Sequence, residues 1–428
     1  MLLYNKISSY VNFGKRAIKS KDGKTIAENL TYLSILQVAG YVLPFITMPY
    51  LSRVIGVSGF GKIAFASAIM VWMQTLVDWG FGYSATRDVA KYRDNKEIVS
   101  SIYSNVLWAK SFLALVGLII LVILILSIPL LRENAVLLLF TYLLIPGYIL
   151  FPEWFFQGME KMKYSTIFNL AIKLAFTIAV FFVIKKEEDF IYQPLLSSFG
   201  FIFSGIIAFF IIRNKWGVRL LRPNWTTIVG YLKGSFDIFI GNLFPTMYNN
   251  FSVVLLGAIG SPIANGLYDG GNRFISAAQQ FMSIIGRTFF PFLNRRNEMF
   301  SIYTRLHLWL AAFVSLALFF GAPLIVRIFL TSEFEDSITV IRIMSFSIFF
   351  LALGTVYCVN YLFVKGFDRE ARNCTIITSL VGFLLAYPMI KCFGYLGAAI
   401  NVTLTRAIMG ILYMITAKKH IKLENTKQ

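Results

Sequence analysis

The stretch LWAKSFLALVGLIILVILILSIPL, residues 107–130, is apolar over almost its whole length and contains a single charged residue, Lys110. A helix of ~20 apolar residues crosses the hydrocarbon layer of a bilayer, so this stretch predicts a transmembrane helix. The whole chain has the same character. Of its 428 residues, 57% are hydrophobic and 14% are charged, against ~25% charged in soluble domains. We therefore expect an all-α integral membrane protein.

Twelve apolar runs along the chain are long enough to span a membrane. The first six are Leu30–Leu51, Ile63–Ala85, Leu107–Leu130, Ala135–Phe155, Thr166–Ile184 and Phe190–Ile212. The second six are Ser235–Gly257, Ile263–Phe290, Leu306–Phe329, Ile338–Val364, Thr375–Met389 and Tyr395–Ala417. The sequence therefore predicts two six-helix bundles. No small-residue cleavage site follows the first run, and we expect it to stay in the mature protein.

Lysine and arginine residues mark the sides of the membrane. The gaps that would lie on one side carry about four times as many basic residues as the gaps on the other. The richer side is expected to be cytoplasmic, and it holds both ends of the chain. The net charge of +19 thus reflects membrane topology rather than binding to nucleic acid.

The same pattern predicts five regions. A cytoplasmic amino-terminal segment, a first bundle, a cytoplasmic linker, a second bundle and a cytoplasmic tail are expected at residues 1–28, 29–212, 213–233, 234–417 and 418–428. The linker is basic and carries Trp216, Trp225 and Tyr231, which is typical of a segment at the membrane interface.

An internal repeat supports two related halves. Gly40 and Pro44 recur 201 positions later as Gly241 and Pro245, in the first span of each half. Both spans would run in the same direction, which favours a parallel repeat about an axis along the membrane normal. Proline removes a helix hydrogen bond, so Pro44, Pro49 and Pro245 are candidate hinges. A static kink is the alternative at each position.

Several kinds of chemistry are excluded by the sequence. Cys358, Cys374 and Cys392 lack the spacing of a metal or disulfide motif, and we expect neither a metal nor a cofactor. GVSGFGK, residues 56–62, lacks the Ser or Thr of a phosphate-binding loop and follows a predicted span rather than a strand. The periplasmic gaps are too short for a folded domain. An enzyme is therefore not expected.

Charged residues deep in the predicted spans are the strongest functional signal. A charge at membrane depth costs at least ~2.5 kcal/mol unless it faces water or a partner. Lys173, Asp269, Arg273 and Arg406 are the deepest, and a shared aqueous cavity between the halves would accommodate them. Three cations and one anion favour an anionic substrate such as a lipid pyrophosphate.

Two other charges lie closer to span ends. Asp78 is at intermediate depth, and it joins Asp269 as a candidate ion-coupling residue. Lys110 is near enough to the end of its span for its ammonium to reach the interface by snorkelling.

The segment YDGGNRF, residues 268–274, combines several features of the predicted cavity. Asp269 and Arg273 are four positions apart on one helix face, and a purely structural ion pair is the alternative to a functional one. Asn272 could contact sugar hydroxyl groups. The glycines could equally serve helix packing.

Three further segments resemble a known family. They are PYLSRVIGVSGFG at residues 49–61, LVDWGFGYSATRDVAKYR at residues 76–93 and PEWFFQGMEKMKY at residues 152–164. They are similar to the O-antigen and polysaccharide flippases of the multidrug/oligosaccharidyl-lipid/polysaccharide exporter superfamily. The resemblance covers nearly the whole chain.

This resemblance implies twelve helices forming a V around a central cavity. It implies translocation of undecaprenyl-pyrophosphate-linked oligosaccharide from the cytoplasmic to the periplasmic leaflet of the inner membrane of Gram-negative bacteria, driven by an ion gradient or the membrane potential. A polysaccharide polymerase and a chain-length regulator are the implied partner proteins. The implied cationic lining comprises Arg53, Arg87, Lys173 and Arg273. The depth argument adds Arg406 to the predicted cavity, and the possible contact with sugar hydroxyls adds Asn272.

Two alternatives stay open from the sequence. A cation-coupled multidrug exporter shares the twelve-helix plan but would favour a more acidic lumen. A membrane enzyme such as a polysaccharide polymerase would favour a large periplasmic loop or a soluble domain.

Overall fold

The computed structural model describes residues 32, 39, 40, 42–295 and 300–426. The predicted amino-terminal segment 1–28 and part of the first predicted span lie outside these residues. Every regular element among the described residues is a helix. We refer to the described helices before residue 217 as the first half and to those from residue 225 as the second half.

The first half begins with helical residues 42–54, called α1. It continues with α2 (Gly56–Asp78), α3 (Phe81–Tyr92), α4 (Lys96–Ser127), α5 (Pro129–Glu133), α6 (Ala135–Tyr142), α7 (Leu144–Leu150), α8 (Glu153–Gly158), α9 (Met162–Val183), a 3-10 turn (Glu187–Ile191) and α10 (Tyr192–Trp216). The second half comprises α11 (Trp225–Ile259), α12 (Pro262–Arg295), α13 (Phe300–Phe329), a 3-10 turn (Ser332–Phe334), α14 (Ser337–Gly354), a π-helix (Thr355–Leu362) and α15 (Asp368–Thr426).

Eight stretches within the described residues are helical, long and apolar enough to cross a membrane. They are Gly56–Tyr92, Lys96–Ser127, Ala135–Gly158, Met162–Val183, Glu187–Trp216, Phe300–Phe329, Ser337–Leu362 and Asp368–Lys422. The last stretch is interrupted at Gly394, where φ is 56°. The chain is therefore an all-helical membrane protein with several long apolar helices.

Some helices extend well beyond the apolar runs. Helix α4 begins at Lys96, eleven residues before the predicted span, because the Asn95 side chain caps it by accepting hydrogen bonds from the backbone of Glu97 and Ile98. Asn224 caps α11 in the same way through Thr227. An apolar run marks the hydrocarbon layer, whereas a cap marks the end of the helix.

The two halves meet along α2, which packs against both α11 and α12. Glycines allow the closest approach. A Cβ atom at Gly61 would overlap the carbonyl oxygen of Pro262, and one at Gly266 would overlap that of Val57. Asn265 of α12 donates a hydrogen bond to the Gly61 carbonyl across the same contact, over 3.3 Å.

The carboxylate of Glu333 joins the halves at the same end of α2. Its Oε2 atom accepts a hydrogen bond from the backbone N–H of Val57 over 3.1 Å, at the first turn of the helix. A negative charge there interacts favourably with the helix dipole.

The segment between the halves, residues 217–224, has no regular secondary structure and lies along α4. Ser104 donates a hydrogen bond to the carbonyl oxygen of Arg219 and accepts one from the backbone N–H of Leu221, over 3.1 and 2.8 Å. The Asn105 side chain accepts a further bond from the Asn224 backbone. The polar first turns of α4, which precede its membrane span, therefore hold this segment in place.

Candidate functional site

A cavity of about 440 Å³ lies inside the first half, among α2, α4, α7, α8 and α9. We call it the first-half cavity. Four ionisable side chains line it, two carboxylates and two ammonium groups: Asp78, Glu153, Lys110 and Lys173. Gln74, Gln157, Asn169 and Tyr148 add neutral polar groups. The lining thus places charged and polar groups among helices that are long and apolar enough to cross a membrane.

Lys110 and Asp78 form an ion pair across the cavity wall. The Lys110 Nζ lies 2.8 Å from Oδ1 of Asp78, and the lysine side chain is only 9% exposed. Snorkelling of Lys110 to the interface was therefore the wrong expectation. The reason is that depth along one helix does not reveal a partner on the neighbouring helix, and Asp78 supplies a partner from α2.

Lys173 and Glu153 form the second charged part of the cavity. The Glu153 carboxylate interacts electrostatically with the Lys173 ammonium and accepts a hydrogen bond from Ser165 over 3.0 Å. A Cβ atom at Gly40 would lie 2.7 Å from the Lys173 Nζ, so that glycine leaves room for the ammonium group. Gly40, which belongs to the internal repeat, thus borders the Lys173 ammonium group.

Asp269 and Arg273 pair at the contact between the halves. Arg273 Nε lies 2.8 Å from Asp269 Oδ2, and their side chains are 34% and 18% exposed, respectively. The guanidinium carbon is 4.9 Å from the ring centre of Phe60, which belongs to α2 of the first half. The arginine is therefore partly neutralised, yet a third of its side chain stays accessible.

Arg406 is buried within the second half. Its guanidinium donates to the hydroxyl of Ser347 over 3.0 Å and to Oδ1 of Asn249 over 3.2 Å. The Nε–H has no hydrogen-bond partner among the described residues. The four deepest charges are thus distributed over three places: the first-half cavity, the contact between the halves and the second-half interior.

The other predicted cavity residues lie nearer the surface. Arg53 is exposed near the end of α1. Arg87 is exposed on α3 and lies 3.3 Å from its neighbour Asp88. Asn272 is half-buried on α12, and it precedes Arg273 in the sequence.

The three candidate hinge prolines all lie inside helices. The hydroxyls of Thr47 and Ser52 donate to the carbonyls of Pro44 and Pro49 within α1, each over 3.1 Å. Asn249 donates to the carbonyl of Pro245 in α11 over 2.9 Å. Hydrogen bonds from side chains to backbone carbonyls bend helices, as prolines do. Helices α1 and α11 each contain both features.

Depth in a predicted span does not mark Glu153, Lys110 or the amide side chains as members of a cavity. Glu153 lies at the end of a predicted span, where a charge needs no explanation. The signal that was available is its position in the motif PEWFFQGMEKMKY.

Among the described residues, no group of three His, Cys, Asp or Glu side chains is placed to hold a metal ion.

This fold is shared with known membrane transporters. A multidrug resistance MATE family transporter of the MOP superfamily, in its inward-facing conformation, matches 93% of this chain and 99% of its own, with a TM-score of 0.67 and 14% identity. The lipid II flippase MurJ, in an inward closed conformation, matches 92% of this chain and 87% of its own, with a TM-score of 0.70 and 14% identity. The fold is therefore that of the MATE and MurJ transporters.

Sequence comparison gives the particular family. The profile of the family described as "Polysaccharide biosynthesis protein" matches residues 26–296, and the chain belongs to that family. A relative in Escherichia coli (strain K12), described as "Putative O-antigen transporter", is 28% identical over 92% of this chain and 97% of its own length. A relative of the same description in Shigella dysenteriae is 25% identical over 92% of this chain and 100% of its own.

Proposed function

We propose that this protein is a flippase that moves an undecaprenyl-pyrophosphate-linked oligosaccharide, such as an O-antigen repeat unit, from the cytoplasmic to the periplasmic leaflet of the bacterial inner membrane. The observation that carries the proposal is a charged cavity inside an otherwise apolar bundle, in a chain of a polysaccharide biosynthesis family. The two relatives described as O-antigen transporters support the same substrate class.

The proposed topology has twelve spans in two bundles, residues 29–212 and 234–417, that form a V. The segment 1–28, the linker 213–233 and the tail 418–428 would lie in the cytoplasm. The distribution of Lys and Arg supports this arrangement, as does the repeat that relates Gly40 and Pro44 to Gly241 and Pro245.

Transport would proceed by alternating access. The two halves rock about their contact, and the oligosaccharide crosses in a hydrated passage while the polyprenyl tail stays in lipid. The contact of Gly61 with α12 and the bond from Val57 to Glu333 would close the periplasmic end, because both lie beside predicted periplasmic gaps. Pro44, Pro49 and Pro245 would act as the hinges that let α1 and α11 bend.

Cationic side chains would make the passage of pyrophosphate possible. About two negative charges must cross a region of low dielectric, and without cations the cost would be prohibitive. Lys173 lines the first-half cavity, and Arg273 keeps part of its guanidinium exposed at the contact between the halves. We assign these two the main substrate contacts, with Arg53, Arg87, Arg406 and Asn272 completing the lining.

Coupling to an ion gradient would use the carboxylates that pair with cations. Asp78 holds Lys110, and Asp269 holds Arg273, each over 2.8 Å. Protonation of either carboxylate would release its cation, and release of Arg273 would free it for the substrate. A sodium ion that competes for the carboxylate would have the same effect.

Leaflet-resolved analysis of lipid-linked oligosaccharide in a deletion strain tests the proposal. A flippase defect leaves the glycolipid in the cytoplasmic leaflet, and plasmid-borne protein restores its transfer. Accumulation in the periplasmic leaflet would instead indicate the polymerase alternative, and an unchanged glycolipid with increased drug sensitivity would indicate the multidrug exporter. A polymerase and a chain-length regulator are the partners we propose for the periplasmic product.

A further inference from the structure

A second cavity, of about 410 Å³, opens between α3 of the first half and the first turns of α11. We call it the entry cleft, because both of its walls lie on the predicted cytoplasmic side. Its walls include Arg87, Asp88, Thr227, Gly230, Tyr231 and Gly234. The α11 wall lies at the end of the predicted linker and includes Tyr231, one of the aromatic residues of that linker.

Two glycines in the α11 wall have no packing role. Glycine in a helix interior costs about 1 kcal/mol relative to alanine. At Gly61 that cost is explained, because a Cβ atom would overlap the facing backbone. At Gly230 and Gly234 a Cβ atom would meet nothing within 4 Å. The two glycines lie one helical turn apart on the face that lines the cleft. Because they have no side chains, they leave the cleft open.

The polar groups of the cleft match a sugar better than a bare anion. Arg87 and Asp88 form an ion pair of 3.3 Å with side chains 74% and 24% exposed, and they offer hydrogen-bond donors and acceptors side by side. Sugar hydroxyls can use both, whereas a phosphate group could use only the donors of Arg87.

Tyr231 adds an aromatic ring and a hydroxyl group to the same cleft. Burial raises the pKa of Tyr231 to about 12, and the charge of Asp88 acts in the same direction. The hydroxyl group is protonated at neutral pH, as that of any ordinary tyrosine is, and can donate a hydrogen bond. The Tyr231 ring lines the same cleft as the polar groups of Arg87 and Asp88. This combination suits a ligand that has both an apolar face and hydroxyl groups, as a sugar ring does.

The walls of the cleft are held together at its base. Ser84 of α3 and Ser235 of α11 lie 2.7 Å apart and share a hydrogen bond, and the indole N–H of Trp79 donates to the carbonyl of Leu232 over 2.9 Å. The ring of Trp79 also stacks on Phe239, with ring centres 4.2 Å apart. The cleft is thus preformed and lies where the two halves join, at the start of the proposed transport path.

We propose that the entry cleft binds a sugar ring of the lipid-linked oligosaccharide on the cytoplasmic side, before the head group enters the passage. This inference rests on the proposed function and adds a sugar subsite to it. Arg87 and Asp88 would bind hydroxyl groups, Tyr231 would cover the sugar face, and Gly230 and Gly234 would provide the space.

Filling the cleft tests the proposal in cells. Gly230→Leu and Gly234→Leu place side chains in the open space and replace glycine by a better helix former, so the fold should be maintained. At matched expression in a deletion strain, we expect surface polysaccharide to fall at least about tenfold, the equivalent of 1.4 kcal/mol of lost binding. Val229→Leu is the control, because Val229 is exposed on the same helix but is not part of the cleft wall.

Binding is tested with purified protein carrying Gly234→Cys, with the three native cysteines replaced by alanine. The rate of maleimide labelling at position 234 is measured with the lipid-free repeat-unit oligosaccharide of the producing strain, and separately with inorganic pyrophosphate. Slower labelling with the oligosaccharide but not with pyrophosphate is expected.

The outcomes separate this inference from the proposed function. Normal polysaccharide in both leucine variants, or protection by pyrophosphate alone, would overturn the sugar subsite. If the deletion strain still makes surface polysaccharide without any copy of the gene, the proposed function itself fails.

Discussion

The ammonium of Lys110 lies 2.8 Å from the carboxylate of Asp78 and ties α4 to α2 inside the first half. The two partners differ in burial, since the lysine side chain is 9% exposed and the aspartate side chain 40%. This asymmetry determines which partner can be removed at lower cost.

Asp78→Asn should destabilise the protein more than Lys110→Met. The first change leaves a buried ammonium unpaired, whereas the second leaves a carboxylate that water can reach. We expect a loss of about 2–3 kcal/mol for Asp78→Asn and about 1 kcal/mol for Lys110→Met. Thermal unfolding in detergent measures both. The double variant should be more stable than Asp78→Asn alone, and strict additivity would show that the two residues are not coupled.

Removal of either substrate cation should impair transport. Lys173→Ala and Arg273→Ala each remove a charged hydrogen-bond donor, and we expect surface polysaccharide in a complemented deletion strain to fall by about tenfold or more. Arg273→Lys should restore transport only in part, because lysine lacks the planar fork. Lys391→Ala, at an exposed lysine near Tyr387, is the matched control. Unchanged polysaccharide in both alanine variants would refute the charged passage.

The contact between α2 and α12 should not tolerate a single methyl group. Gly61→Ala forces the backbones apart, at a cost of about 1–3 kcal/mol. Gly241→Ala adds the same methyl group where nothing lies within 4 Å and should be neutral or slightly stabilising. Unfolding midpoints of the two purified variants provide the comparison. Equal unfolding midpoints for Gly61→Ala and Gly241→Ala would contradict the close contact between α2 and α12.

The Glu333 carboxylate should stabilise the same contact through its charge. Glu333→Gln retains a hydrogen-bond acceptor for the Val57 N–H but loses the interaction with the dipole of α2, and about 0.3–1 kcal/mol should be lost. The loss should shrink as salt is added, because salt screens the interaction. Glu335→Gln, two positions away, is the control. A loss that does not depend on salt would assign the effect to packing instead.

The segment between the halves should loosen when Ser104 is changed. The Ser104 hydroxyl bonds to the backbone of Arg219 and Leu221, and each bond contributes about 1 kcal/mol. Ser104→Ala should therefore speed trypsin cleavage after Arg219. Ser127→Ala, at the other end of α4, should leave the cleavage rate unchanged. Equal rates in both variants would show that α4 does not hold the segment.

The sequence predicts the helices well and their partners poorly. Apolar runs locate the described spans because burial in lipid demands them. The runs do not locate the helix ends, since α4 and α11 begin at the caps Asn95 and Asn224, which lie in polar sequence. Periodicity along one helix does predict the pair Asp269 and Arg273, whose spacing of four residues suffices to bring them together.

The first-half cavity shows why the rest was not predicted. Asp78 and Lys110 are 32 positions apart, and Glu153 and Lys173 come from two further helices. Only the packing of four helices brings these groups together, and no local pattern specifies that packing. The sequence around Lys110 thus predicts only a lysine that reaches the interface, and the sequence around Glu153 predicts only a charge at the end of a span.

Transfer by the purified protein in vesicles tests the central claim most directly. Protein is reconstituted into liposomes that carry the lipid-linked oligosaccharide in one leaflet, and its appearance in the other leaflet is followed over time. We predict transfer well above that of protein-free vesicles, abolished or strongly reduced by Lys173→Ala and Arg273→Ala and unaffected by Lys391→Ala. Transfer no faster than in protein-free vesicles, with protein that is folded and correctly inserted, would contradict the account.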